Sequence, residues 1–106
     1  MVSNANTFVE GNVLNFSVAF TTEATGNPID PTNVAFGYRI NGGSITILKY
    51  GVSDAVTNPS VGNYVAEVDT TGFPGTWVWE WQSTGTGQAL ISGSITVTQS
   101  AMTLLS

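Results

Sequence analysis

A chain of 106 residues with 42% hydrophobic content is long enough for one cored domain, and only 8% of its residues are charged, against about 25% in an ordinary soluble protein. Two basic residues face seven acidic ones, a formal charge of −5. That balance leaves no electrostatic footprint for DNA or RNA and disfavours an anionic membrane surface. Cysteine and histidine are absent, which excludes from this chain disulfides, thiolate and imidazole metal sites, and hydrolases built on a Ser-His or Cys-His pair.

The start "MVSNANTFVE" has neither a basic nor an apolar signal region, and no apolar run approaches the roughly 20 residues that span a bilayer. The expectation is a chain made in the cytoplasm without a signal peptide, to stay there or to leave inside or on a particle, or else a processed form. Beyond this start, period-two alternation recurs and helical spacing does not, which predicts an all-β chain. A short strand is expected from Thr7 to Glu10, turned by Gly11-Asn12 into "VLNFSVAFT", where Leu14, Phe16, Val18 and Phe20 share a face. Gly26-Asn27-Pro28 and Asp30-Pro31 break any ladder, so Thr22 to Thr32 reads as a long loop.

"NVAFGYRI" puts Val34, Phe36, Tyr38 and Ile40 on one face, and Asn41-Gly42-Gly43 makes a hairpin into "SITILKY". "GVSDAVTNPS" is irregular, with a short edge segment near Ala55 to Thr57. "VGNYVAEVD" aligns Tyr64, Ala66 and Val68, and "TTGFPG" turns into "PGTWVWEW", followed by a "STGTG" loop and the strand "QALISGSITVTQ". Seven to eight short strands at about ten-residue spacing predict an immunoglobulin-like antiparallel β-sandwich, with a small closed barrel as the alternative. Residues 1–98 form this single domain. In the 99–106 tail, Met102, Leu104 and Leu105 either fray or cover a sheet edge or a neighbour.

Trp77, Trp79 and Trp81 share one face of their strand. A hairpin closed symmetrically by Ser83 to Gly87 sets Trp81 opposite Ala89, Trp79 opposite Ile91 and Trp77 opposite Gly93, a glycine that either makes room for an indole or marks a β-bulge. The tryptophan face then carries Ala89, Ile91, Ile95 and Val97, while Glu80, Gln82, Ser92, Ser94 and Thr96 lie on the reverse. The indoles are therefore core, with Trp81, nearest the hairpin end, as the expected exception and with a main-chain carbonyl expected for each buried indole N–H. Tyr64, in a Gly-x-Tyr context, is expected to pin a crossover through a phenol-to-backbone hydrogen bond.

The search for chemistry yields no catalytic constellation. A glycosidase needs two carboxylates about 5 to 9.5 Å apart across a sugar; Glu67 and Glu80 meet this only if their strands are adjacent, and both read as solvated surface acids. Asp30, Asp54 and Asp69 lie near loops without the Asp-x-Asp-x-Asp-Gly pattern of a calcium loop. "STGTG" joins two strands, whereas a phosphate loop opens a helix. A non-enzyme without metal or cofactor is expected.

"DPTNVAFGYRINGG…Y" followed by "VGNYVAEVDTTGFPGTWVWEWQSTGTGQALISGSITV" resembles small immunoglobulin-like proteins of tailed bacteriophages, over Asp30 to Val97. The shared pattern is Asp-Pro before a strand, Gly-x-Tyr-x-Ala-x-Val-Asp, Pro-Gly-Thr-Trp, an aromatic pair ending in Trp, Gly-Thr-Gly, and a small-residue strand ending in Val. Ser83, where the family often has Gly, and "NGGS", where an acidic Asp-Gly turn is common, depart from it. The resemblance implies a virion component, a capsid decoration or other head-associated protein. Its partner would be the major capsid protein or another virion protein, with homo-oligomerisation among the expectations. A carbohydrate-binding module and a tail or cell-surface adhesion domain are the alternatives. The expected docking face is the outer side of three strands: Ala35, Gly37, Val78, Leu90 and Ser92, with Arg39 and Glu80 paired nearby.

Overall fold

A computed structural model describes residues 7–99. Eight strands follow one another without a helix: β1 (Thr7–Val9), β2 (Val13–Ala19), β3 (Asn33–Ile40), β4 (Thr46–Lys49), β5 (Val56–Ser60), β6 (Asn63–Asp69), β7 (Gly75–Thr84) and β8 (Ala89–Thr98). They form a five-stranded sheet in the order β1-β8-β7-β3-β4 and a three-stranded sheet in the order β2-β6-β5. All pairings are antiparallel except that of β1 with β8. This is a β-sandwich, and the edge segment expected near Ala55 to Thr57 is the strand β5, reaching Ser60.

The alternation of each strand supplies the apolar face that the other sheet covers. Leu14, Val18 and Phe20, with Val56, Tyr64, Ala66 and Val68, meet Val34, Phe36, Trp77, Trp81, Ile95 and Val97 in one core. Phe36 sits at its centre, with ring centroids 4.9 Å from both Phe16 and Trp81. Tyr38 stacks on Trp77 at 4.9 Å and 16°. Burying an indole removes about 150–250 Å² from water, on the order of 4–6 kcal/mol before the cost of ordering it. Trp77 and Trp81, both with 0% exposure, are therefore the largest single contributions to this core.

Side chains tie the crossovers between sheets. Thr70, fully buried, donates its hydroxyl to the Asn12 carbonyl at 2.7 Å and accepts from the Gly11 amide at 3.1 Å, joining the β1–β2 turn to the β6–β7 crossover. At the other end Asp30 accepts from the Gly62 amide at 2.7 Å and from Asn58 Nδ2 at 3.0 Å. The Tyr64 phenol lies near the Asp30 carboxylate, whose charge adds to burial in raising the phenol's pKa. The phenol-to-backbone bond expected of Tyr64 is not formed among the described residues; the group beside it is a carboxylate of the β2–β3 loop.

The β7–β8 register departs from the symmetrical hairpin by two residues. Ser83 lies opposite Ala89, Trp81 opposite Ile91, Trp79 opposite Gly93 and Trp77 opposite Ile95. Ser83 sets this register, its Oγ donating to the Gly87 carbonyl and accepting from the Ala89 amide, both at 2.9 Å. A two-residue slip preserves which side chains share a face, so the tryptophan face is as expected while its cross-strand partners change. Gly93 makes room for Trp79 rather than Trp77. The least buried indole is likewise Trp79, not Trp81, because β1 pairs only with the last part of β8 and leaves the sandwich open beside Phe16 and Trp79. Trp77 Nε1 donates to the Phe73 carbonyl at 3.0 Å. Trp81 Nε1 is buried and reaches no acceptor among the described residues, against the expectation that every buried indole finds one.

Candidate functional site

The outer face of the five-stranded sheet is assembled row by row from the strand register. Lys49, Ala35, Gln82 and Leu90 cross β4, β3, β7 and β8 in one row; Ile47, Gly37, Glu80 and Ser92 form the next. Arg39, Val78 and Ser94 make a third. All seven residues expected on a docking face, Ala35, Gly37, Arg39, Val78, Glu80, Leu90 and Ser92, therefore stand on a single surface.

Four aliphatic side chains are exposed on or beside this surface: Ile45 by 62%, Ile47 by 59%, Val78 by 45% and Leu90 by 63%. Between them runs a shallow groove of about 250 Å³ whose lining includes Ala35, Gly37, Ile45, Ile47, Val78 and Gln82. Gly37 provides the low floor, since a β-carbon there would rest in ordinary contact with the Thr46 carbonyl and Ile45 Cγ2, at 3.5 and 3.8 Å. Ile45, Ile47 and Lys49 were not among the residues expected on this side of the sheet, whereas Gln82 was, though not as a docking residue. In "SITILKY" the alternation cannot choose a face, because Ile45 and Ile47 on one side are matched by Leu48 and Tyr50 on the other. Pairing of Ile47 with Gly37 decides it.

Both cations of the chain, Arg39 and Lys49, lie on this face. The expected Arg39–Glu80 pair does not form: Arg39 faces Val78 across the ladder, and the Glu80 carboxylate accepts from Gln82 Nε2. Gln82 stands two residues along the same strand and shares its face, while Arg39 is an exposed diagonal neighbour, where an ion pair in water gains little.

The acids do not converge. Glu67 lies on β6 and Glu80 on β7, strands of different sheets, and each points away from the core, so the two carboxylates face opposite sides of the sandwich. That removes the adjacent-strand geometry a glycosidase pair requires. Asp30 is held below the usual carboxylate range chiefly by the Gly62 amide, and Asp69 by the amide and hydroxyl of Thr71. Both are structural acceptors that cap turns. Among the described residues no group of three or more Asp, Glu, His or Cys side chains gathers to hold a metal. No described helix is long and apolar enough to cross a membrane.

No protein-family model matches the chain, and comparison with curated proteins finds no significant match. What the geometry defines is a β-sandwich with one sheet face that combines exposed aliphatic side chains, a shallow groove and three charged residues, Arg39, Lys49 and Glu80. Such a mixture of apolar and polar groups resembles the composition of protein–protein contact surfaces.

Proposed function

We propose that this protein is a non-enzymatic structural protein of a bacteriophage particle. In this reading it is a capsid decoration protein, made in the host cytoplasm, that docks on the head and stabilises it. The single observation that carries a docking role is the clustering of exposed Ile45, Ile47 and Val78 around the Ala35–Gly37 floor of one sheet face, with Arg39 and Glu80 in the same lining and Leu90 exposed farther along that face. The virion setting is carried by the sequence pattern from Asp30 to Val97. The strand order supports the immunoglobulin-like part of the reading, since β2-β6-β5 opposes β8-β7-β3-β4 with repeated crossovers between sheets. A small domain repeated over a particle can hold through many individually weak contacts.

The carbohydrate-binding reading loses its platform, because Trp77 and Trp81 are interior and Trp79 packs on Gly93. The deciding experiment is mass spectrometry and imaging of purified particles from the phage that encodes the chain. Stoichiometric copies on heads, and particles less robust when the gene is deleted, are the expected results. Absence from particles overturns the proposal, and copies confined to tails replace it with an adhesion role.

A further inference from the structure

We infer that the outer face of the five-stranded sheet seats a second copy of this chain in a two-fold contact. The inference rests on the reading of this face as a protein-docking surface and names its occupant. A two-fold contact requires that one surface be complementary to itself, with every projection matched by a recess on the same patch. This face has both. Ile45 and Ile47 form a ridge along the β4 edge, and the groove floored by Ala35 and Gly37 runs beside it, so the ridge of each copy can fill the groove of the other.

Charge selects the same arrangement. Arg39 and Lys49, all the basic residues of the chain, lie here with one acid, Glu80. The remaining acids lie on the opposite sheet, as do Glu67 and Asp69, or in turns and loops. Two copies meeting by the opposite sheet would set Glu67 and Asp69 against their own copies; by this face Arg39 of one copy can meet Glu80 of the other. Like-charge juxtaposition is what suppresses the wrong pairings.

The size sets the strength of the contact. Four strands about 4.8 Å apart, with roughly eight residues each at 3.3 Å, give a planar footprint of roughly 500 Å². This is below the ~800 Å² per partner of a standard interface and in the range of a weak, transient contact. The contact is therefore expected to be reversible.

The test is sedimentation of the full chain over a concentration series into the hundreds of micromolar. The wild-type mass should rise from 11.1 kDa toward twice that value. Arg39→Glu and Glu80→Arg, each placing like charges across the axis, should weaken association roughly tenfold or more, and the double reversal should restore it. Ile47→Asp should abolish it, and unchanged thermal melts would show that each variant is folded. A wild-type protein that stays monomeric throughout, or a double reversal that fails to restore association, overturns the inference. Monomeric protein whose Arg39→Glu variant no longer occupies particles would overturn it in favour of an acidic virion surface, leaving the proposed function standing. A dimer absent from particles would do the reverse.

Discussion

Trp79 lies across Gly93 so closely that a β-carbon on the glycine would stand 2.6 Å from Cζ2 of the indole. The two residues face each other across β7 and β8, beside the cleft that β1 leaves uncovered. Gly93→Ala must displace the ring, and overpacking of this kind costs about 1–3 kcal/mol. Trp79→Leu shortens the side chain and should recover part of that loss. Urea unfolding of both single variants and the double variant measures the coupling; strictly additive effects would contradict the contact.

Trp77 and Trp81 are equally buried but differ in one bond. Trp77 Nε1 donates to the Phe73 carbonyl, whereas Trp81 Nε1 has no acceptor among the described residues. Replacement by Phe removes a satisfied donor from the first and an unsatisfied one from the second. Trp77→Phe should therefore destabilise the fold by about 1–3 kcal/mol more than Trp81→Phe. Equal losses, measured by denaturant unfolding, would contradict this.

Asp30 contributes, with Asp69, to the acid limb of stability. Its folded pKa lies below the ordinary 3.8, with the Gly62 amide as the leading cause. A depressed carboxylate pKa contributes stability that is present above the unfolded value and lost as pH falls through the folded one. The melting temperature should fall on acidification below pH 3.8, and Asp30→Asn should lower it at neutral pH while flattening that decline. Tyr64 acts at the opposite end: burial, then the charge of Asp30, raise its pKa above 10.0. Its contribution is present below 10.0 and lost as pH rises through the folded value, so Tyr64→Phe should flatten the alkaline limb. Calorimetry across both limbs checks both signs.

Gly62 couples to the same corner. Its φ is +78°, and a β-carbon would stand 2.6 Å from the Phe20 carbonyl oxygen, a backbone atom that cannot swing aside. Gly62→Ala combines strain with this clash and should cost about 2–4 kcal/mol, more than Gly93→Ala, where the obstacle is the far end of a side chain. The same unfolding measurement ranks the two.

Quenching separates the indoles. Trp77 and Trp81 show 0% exposure, and only Trp79 lines an open cleft. Acrylamide should reach one emitting class, and Trp79→Phe should remove it. An accessible class that survives in Trp79→Phe would overturn the assignment.

Much of this structure was legible because strand alternation is a local property. Leu14, Val18 and Phe20, Val34 and Phe36, Tyr64, Ala66 and Val68 face inward as the period of two requires. The same period placed seven residues on the outer face of the five-stranded sheet. Ile47 and Lys49 escaped notice because β4 is apolar on both sides, and only pairing with β3 selects a face. Whether Glu67 and Glu80 stand on adjacent strands was open in the sequence for a related reason: alternation does not say which strands pair, and the chain crosses between sheets after β6.

By itself, then, the sequence determined that this chain is all-β, where its turns fall, and which residues of each strand share a side, since all three follow from backbone geometry within a few residues. Tertiary structure alone decided what each side meets. The Ser83 bonds across the hairpin moved Gly93 from Trp77 to Trp79. Sheet assembly divided the acids, and gathered Arg39, Lys49 and the exposed aliphatic residues on one face. Those outcomes depend on contacts between residues distant in the chain, which a periodic pattern does not encode.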